Sequence, residues 1–207
     1  MASLRLSATR AGLLTAVAAL AGSALVLTAP AASATTLHHK DQAHDVVRFD
    51  DDSDVSTPDP GRVNGDIVHV KMWHSANRVG IKASFADLKR SGAFRMDILQ
   101  IVTNEGLTRD ATVFSGTDFT NHEWRGDVDL EKPNGESVKC HVSHSVDYEA
   151  DVLTIGVPRS CLSSPKWVRL GFGVATIGDD ESTEWADDAL IDGSVAQDLA
   201  MTDKIYR

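Results

Sequence analysis

Apolar side chains at every second position between Asp66 and Ala86 constrain the fold of this chain more than any other feature. Side chains on a β-strand point alternately to the two faces of a sheet, so this period predicts a strand on each side of a turn at Ala76 and Asn77. The predicted hairpin places three apolar pairs on its inner face: Met72 with Ile81, Val70 with Ala83, and Val68 with Phe85.

Further segments with strand character follow this hairpin. Strands are predicted at 45–49, 94–102, 108–114, 137–146, 152–157 and 167–176, with turn-forming residues between them. Asp, Ser, Pro and Gly over 50–61 predict a loop. The sequence shows no helical stripe longer than two turns. It therefore predicts an all-β fold: an antiparallel β-sandwich, jelly-roll-like, of roughly eight or nine strands.

The first 34 residues have the pattern of a secretory signal peptide. Arg5 and Arg10 precede an apolar run, and Ala-Ser-Ala at 32–34 supplies a small-residue cleavage motif. We therefore expect a secreted, extracellular protein with no stable membrane insertion after cleavage. The expected organisation of the remainder is a flexible N-terminal tail at 35–44, a sandwich domain at 45–195, and a C-terminal tail or edge segment at 196–207.

The charge balance and the cysteines limit the partners and the compartment. An excess of 30 acidic over 20 basic side chains argues against a nucleic-acid partner, because binding phosphates requires a basic surface. In an exported chain with two cysteines, pairing is the default, so Cys140 and Cys161 are expected to form a disulfide bond.

The outer face of the predicted hairpin carries the candidate ligand-binding residues. Its register places Lys71 opposite Lys82 and Trp73 opposite Gly80, with His69 on the same face. Like charges directly opposite each other destabilise a strand pair, so one interpretation is an anionic ligand that stacks on Trp73. In the other, nearby carboxylates neutralise the lysines while Trp73 covers the glycine.

The sequence assigns no catalytic residue. It lacks a Gly-x-Ser-x-Gly nucleophile motif and a glycine-rich phosphate loop. Asp50, Asp52 and Asp54 have the spacing that opens a calcium loop, but Val55 and Gly61 stand where such a loop has Gly and Glu. A looser calcium site on the rim of the sandwich, with Asp66 as a further ligand, and a solvated acidic loop are both open interpretations here, and no other cofactor is expected.

Three stretches carry a resemblance to known proteins: 65–88, which begins Gly-Asp-Ile and ends Phe-Ala-Asp-Leu, 157–162 (Val-Pro-Arg-Ser-Cys-Leu) and 167–169 (Trp-Val-Arg). With them, most of 45–177 resembles uncharacterised secreted β-sandwich proteins of high-GC Gram-positive bacteria, similar to modules of the DOMON and sugar-binding type. The resemblance implies a sandwich fold and carries over no catalytic residues.

These patterns predict a secreted, non-catalytic binding module for a cell-wall or extracellular polymer, with an anionic glycan as the candidate partner. Two alternatives are open. One is a secreted hydrolase, because a pair of catalytic carboxylates has no sequence signature. The other is a protease inhibitor that presents Arg159 from a turn anchored by the disulfide.

Overall fold

Thirteen β-strands occur in the part of the chain that the computed structural model describes, namely residues 35–50, 53–117, 123–196 and 198–207. In chain order they are β1 (Thr35–Lys40), β2 (Val47–Asp50), β3 (Ser53–Pro58), β4 (Ile67–His74), β5 (Arg78–Phe85), β6 (Phe94–Thr103), β7 (Thr108–Gly116), β8 (Asp127–Glu131), β9 (Ser143–Asp147), β10 (Val152–Pro158), β11 (Trp167–Ile177), β12 (Thr183–Asp188) and β13 (Ile205–Tyr206).

The strands form two antiparallel sheets. Sheet A has the spatial order β1-β4-β5-β10-β9. Sheet B has the order β3-β2-β12-β11-β6-β7-β8, and β13 pairs with β11. Apolar side chains from both sheets form one buried core, including Ile81 and Ile155 of sheet A and Leu99 and Phe172 of sheet B. The predicted all-β antiparallel sandwich is confirmed, although the described residues contain more strands than expected.

The hairpin of β4 and β5 follows the predicted register over most of its length. Met72 pairs with Ile81, and Val70 pairs with Ala83. The predicted pairing of Val68 with Phe85 is wrong, because a bulge between Ile67 and His69 shifts the register and places Ile67 opposite Phe85. A bulge adds one residue to one strand, which the alternation alone does not reveal.

Three segments are more regular than the sequence predicted. Residues 35–44, expected as a flexible tail, contain β1, which pairs with β4 along its whole length. The stretch 50–61, expected as a loop, contains β3, which pairs with β2. The acidic segment Thr183–Asp188 forms β12 between β11 and β2. Backbone hydrogen bonds to neighbouring strands stabilise these segments despite their polar side chains.

The C-terminal segment packs against the outer side of β11. Thr202 exchanges backbone and side-chain hydrogen bonds with Leu170, and Ile205 pairs with Val168. Glycine is required beneath this segment, because a Cβ at Gly171 would lie 2.6 Å from the carbonyl oxygen of Ala200. The described residues 198–207 therefore contact sheet B through β11.

The predicted disulfide between Cys140 and Cys161 is confirmed, with the two Cα atoms 6.1 Å apart. Cys161 lies in a short 3₁₀ helix, Arg159–Leu162. Cys140 lies before β9 rather than within a strand, because β9 begins only at Ser143. Across the described ranges, no helix has the length and apolarity needed to span a membrane.

A buried ion pair lies on the inner face of β6. The Nε of Arg95 donates a hydrogen bond to Asp97 Oδ2 at 2.9 Å, and neither side chain is more than 1% exposed. The two residues are two positions apart, so both point to the same face of the strand. Burial raises the pKa of Asp97, while the charge of Arg95 acts in the opposite direction.

Candidate functional site

The four candidate ligand-binding residues all lie on the outer face of sheet A. Lys71 is directly opposite Lys82, Trp73 is opposite Gly80, and His69 is opposite Ser84. These pairings place the four side chains on the face that points away from the core, because directly opposed residues of an antiparallel pair share a face.

Strand β1 extends this face beyond the predicted hairpin. His38 pairs with Lys71, and Lys40 pairs with His69. Arg78, at the start of β5, also belongs to the outward set. We call the surface formed by Lys40, Lys71, Trp73, Arg78 and Lys82 the basic face. The sequence analysis did not include Lys40, because it treated the N-terminal stretch as a tail, or Arg78, because it placed that residue in the turn.

The lysines of the basic face have no carboxylate partner in the described ranges. Lys40, Lys71 and Lys82 are exposed, and within the described residues none of them forms an ion pair. The strand register places one acidic residue on the outer face of sheet A, Asp147 on the edge strand β9, and its paired neighbour is Val152 on β10. The interpretation in which nearby carboxylates neutralise Lys71 and Lys82 therefore has no support from the contacts.

Two glycines create a depression that larger side chains of this face cover. A Cβ at Gly80 would lie 2.6 Å from Cζ2 of Trp73, so the indole packs directly on the glycine backbone. The second glycine, Gly156, lies on the neighbouring strand β10, and its carbonyl oxygen accepts a hydrogen bond from Arg78 at 3.0 Å. Trp73 is half-buried, which fixes the ring against the sheet while part of its surface faces solvent.

The histidines of this face contact each other. The ring centroids of His38 and His69 are 5.5 Å apart. Burial lowers the pKa of His69, and the neighbouring His38 and His39 lower it further. His69 therefore contributes an uncharged ring at neutral pH, so the lysines and Arg78 provide the positive charge of this face.

A second group of candidate site residues lies between the sheets. The sequence analysis named Asp66 as a further calcium ligand but did not bring these residues together. Asp41, Asp45, Asp66 and Asp187 are between 0% and 4% exposed; we call them the aspartate cluster. Asp41 and Asp45 lie between β1 and β2, Asp66 immediately precedes β4, and Asp187 belongs to β12. Carboxylate oxygens of Asp45, Asp66 and Asp187 lie within 4.8 Å of one another, a spacing at which they could hold a metal ion.

The backbone orients each carboxylate of the aspartate cluster. One oxygen of Asp66 accepts a hydrogen bond from the N–H of His44 at 2.9 Å, and one oxygen of Asp187 accepts from Ile67 at 2.7 Å. Asp45 likewise accepts from the N–H of Gly193 at 2.8 Å. Asp41 accepts from its chain neighbour Gln42. These bonds hold the four side chains in place in the interior.

Burial and mutual repulsion change the protonation of the aspartate cluster in the protein alone. Desolvation, with the charges of Asp187 and Asp45, raises the pKa of Asp41 to about 8. Desolvation, with Asp45 and Asp66, raises the pKa of Asp187 to about 7. The pKa values of Asp45 and Asp66 are raised for the same primary reason. Four carboxylates at this spacing cannot all be charged without a compensating positive charge.

The calcium candidate from the sequence, Asp50 with Asp52 and Asp54, is not tested by the structure. Asp52 lies outside the described residues, and the side chains of Asp50 and Asp54 are likewise not described. This candidate stays a prediction, separate from the aspartate cluster.

Arg159 does not present its side chain to solvent, contrary to the inhibitor interpretation. The residue is 9% exposed, and its guanidinium donates hydrogen bonds to the carbonyl oxygens of Ala76 and Ser164. Its Nε also donates to Nε2 of His74 at 3.0 Å. A protease can take a side chain only if it is accessible, so Arg159 has a structural role.

No family model matches this chain, and neither curated proteins nor solved structures give a match. The resemblance to secreted sandwich modules therefore stays an expectation, and the function is argued from the two sites alone.

Proposed function

We propose that this protein is an exported, non-catalytic binding module that holds an anionic extracellular polymer, such as an acidic glycan, on its basic face. The observation that carries the proposal is the direct opposition of Lys71 and Lys82, with no carboxylate partner for either among the residues that the structure describes. Such a pair destabilises the sheet on its own, and an anion that contacts both ammonium groups removes that cost.

The distribution of charge supports an anionic ligand. The whole chain has a formal net charge of −10 at pH 7, yet sheet A gathers Lys40, Lys71, Arg78 and Lys82 on one side. A local positive surface on an acidic protein attracts anions and leaves the remainder of the surface repulsive to them. Binding is therefore expected to be confined to this face.

The shape of the face supports an extended ligand. Side chains of adjacent strands form rows across the sheet, and the row of Lys71 and Lys82 continues through Thr154 to Ser145. Ammonium and hydroxyl groups in one row can bind successive acidic and hydroxyl groups of a sugar chain. Trp73, at the next row, offers an aromatic surface of the kind on which sugar rings stack.

Secretion is part of the proposal. It is supported by the cleavage pattern of residues 1–34, which lie outside the described residues, and by the disulfide between Cys140 and Cys161, since such bonds persist in oxidising compartments. Appearance of the protein in the culture medium with its N-terminus at Thr35 tests this part.

The binding test is depletion of the purified protein by insoluble acidic polysaccharide, neutral cellulose and bacterial cell walls. We expect retention on an acidic matrix that salt weakens, and loss of retention in Trp73→Ala and in Lys71→Gln/Lys82→Gln. The matched control is Lys139→Gln/Lys166→Gln, which removes the same charge from exposed lysines outside the basic face. Equal retention of all variants, or no retention of the parent, overturns the proposal.

The same incubations are assayed for new reducing ends. A binding module releases none. Sugar release by the parent, unchanged in Trp73→Ala, would instead establish a hydrolase and overturn the non-catalytic assignment.

A further inference from the structure

Among the described residues, the aspartate cluster has one basic side chain within ion-pair distance, and it is a histidine. Within the described residues, no lysine or arginine forms an ion pair with Asp41, Asp45, Asp66 or Asp187. That histidine is the exposed His44, whose Nδ1 lies 3.8 Å from Asp66 Oδ2. Buried carboxylates in proteins are normally paired with a cation, bound to a metal or protonated. A bound cation is the arrangement in which the whole cluster can be charged.

Three of the carboxylates have an oxygen that no group in the described part of the chain satisfies. Asp41 Oδ2, Asp45 Oδ1 and Asp66 Oδ1 are buried and have no hydrogen-bond partner. The other oxygen of each accepts a backbone N–H bond. One oxygen is therefore fixed by the backbone while the second is left for another ligand, which is how outer contacts orient metal ligands.

The distances between the carboxylate oxygens of the aspartate cluster match those around a single calcium ion. Asp45 belongs to two groups of three carboxylates, one with Asp66 and Asp187 and one with Asp41 and Asp192, and the oxygens of each group lie within 4.8 Å of one another. Calcium binds oxygen at about 2.3–2.6 Å, so ligands on opposite sides of one ion are about 4.6–5.2 Å apart and adjacent ligands are closer.

We propose that the aspartate cluster is a calcium site in which Asp45, Asp66 and Asp187 bind one Ca²⁺ and Asp41 and Asp192 add oxygens next to Asp45. The proposed ligands are all carboxylate oxygens, which hard cations such as calcium prefer. Softer transition metals prefer histidine nitrogen or thiolate sulfur. Calcium accepts irregular sets of six to eight oxygens, whereas Mg²⁺ demands a near-octahedral set and retains its water.

The site joins the two sheets. Asp66 leads into β4 of sheet A, Asp187 lies on β12 of sheet B, and Asp45 precedes β2. An ion bound to all three binds the folded chain and not the unfolded one, so it stabilises the sandwich by mass action. This proposal does not depend on the ligand of the basic face.

The test uses the purified protein freed of metal with EDTA and dialysed. Calorimetric titration with CaCl2 is expected to show saturable binding with a Kd of about 10⁻⁴ M or tighter. The midpoint temperature of thermal unfolding, Tm, is expected to be about 5 °C or more higher in about 5 mM CaCl2 than in excess EDTA. Mg²⁺ at the same concentration should change the Tm little.

Asp45→Asn removes the ligand shared by both groups of carboxylates. We expect the calcium-dependent rise in Tm to be lost, while the Tm in EDTA stays equal to or above that of the parent, because one carboxylate of a mutually repelling group is removed. Should this variant fail to fold, the calcium titration of the parent protein decides the question.

Two controls separate this site from other acidic residues. Asp188→Asn alters the adjacent buried carboxylate, whose oxygens accept from Leu190 and Ala200, and should keep the calcium-dependent rise whatever its own Tm. Asp52→Asn/Asp54→Asn should keep it as well. The proposal is overturned if the parent binds no calcium, if Asp45→Asn keeps the full rise, or if only the Asp52 and Asp54 change removes it.

Discussion

Lys71 and Lys82 occupy directly opposed positions on β4 and β5, and neither has a carboxylate partner among the described residues. A like-charged pair at this position costs the free protein stability. A carboxylate beside such a pair would offset the repulsion, and the described residues provide none at this position. The pair therefore lowers the stability of the free protein and favours the binding of an anionic ligand.

Lys71→Gln/Lys82→Gln should separate these two effects. We expect the free energy of unfolding, measured by urea denaturation at low salt, to increase by about 0.5 kcal/mol because repulsion is relieved. Retention on an acidic matrix should fall about tenfold, from about 0.7 kcal/mol for each exposed charge contact. A decrease of stability in the variant would show that the lysines are compensated in the free protein.

Gly80→Ala should destabilise the protein by about 1–3 kcal/mol, because the new methyl group meets Trp73 and the backbone of β10. Its Cβ would lie 2.4 Å from the carbonyl oxygen of Ile155, so relaxation of the tryptophan alone does not make room. Gly61→Ala is the matched control, since its Cβ meets nothing closer than 3.6 Å. Urea denaturation of both variants measures the difference, and equal stability would contradict the close packing described here.

His74 should make the stability of the protein depend on pH near neutrality. The fully buried ring donates from Nδ1 to the carbonyl oxygen of Ile205 and accepts at Nε2 from Arg159, which can only donate. Burial lowers the pKa of His74, and the charge of Arg159 lowers it further. As the pH falls through about 6.5, the unfolded chain therefore gains a proton that the folded ring does not take, and stability is lost.

His74→Gln isolates this contribution, because glutamine can donate to Ile205 and accept from Arg159 without titrating. The stability advantage of the parent over the variant should shrink between about pH 7.5 and pH 5.5, by up to about 1.4 kcal/mol for each pH unit. Urea denaturation at several pH values measures it. An advantage that is constant, or that grows on acidification, would contradict the arrangement.

Cys140→Ser/Cys161→Ser should lower the free energy of unfolding by about 3 kcal/mol, the value expected for a loop of this size. The two cysteines are 21 positions apart and anchor the segment before β9 to the 3₁₀ helix after β10. Reductant should weaken the parent to a similar degree and leave the double variant unchanged. An effect of reductant on the variant would point to another cause.

The sequence predicted the strands whose apolar residues alternate clearly. Thus β6, β7, β10 and β11 begin where expected, and the register of Lys71 against Lys82 is confirmed. The alternation did not predict β12, whose sequence Thr-Glu-Trp-Ala-Asp-Asp has few apolar residues. Nor did it predict β1, in which Leu37 is the one aliphatic side chain. Both strands are stabilised by their neighbours rather than by their own pattern.

The aspartate cluster could not be predicted for a different reason. Calcium loops are recognised by ligands at fixed local spacing, as with Asp50, Asp52 and Asp54. The members of the cluster are instead dispersed, and Asp66 and Asp187 meet only because β4 and β12 pass each other in the folded sandwich. Asp97 shows the same limitation, because an acidic residue in a strand predicts a solvent-facing position until its partner Arg95 is placed beside it.

The position of β12 determines the order in which a growing chain can complete its sheets. β2 and β3 are synthesised early, but β12 lies between β2 and β11 and joins this pair of strands to the remainder of sheet B. The hydrogen bond from Ile67 to Asp187 likewise joins residues 120 positions apart. Until the ribosome has passed Asp188, the first hairpin of sheet B has no neighbour to dock against. A translation product that stops before Thr183 therefore carries an unpaired β2 edge and an unpaired β11 edge, a species suited to proteolysis or aggregation rather than to folding.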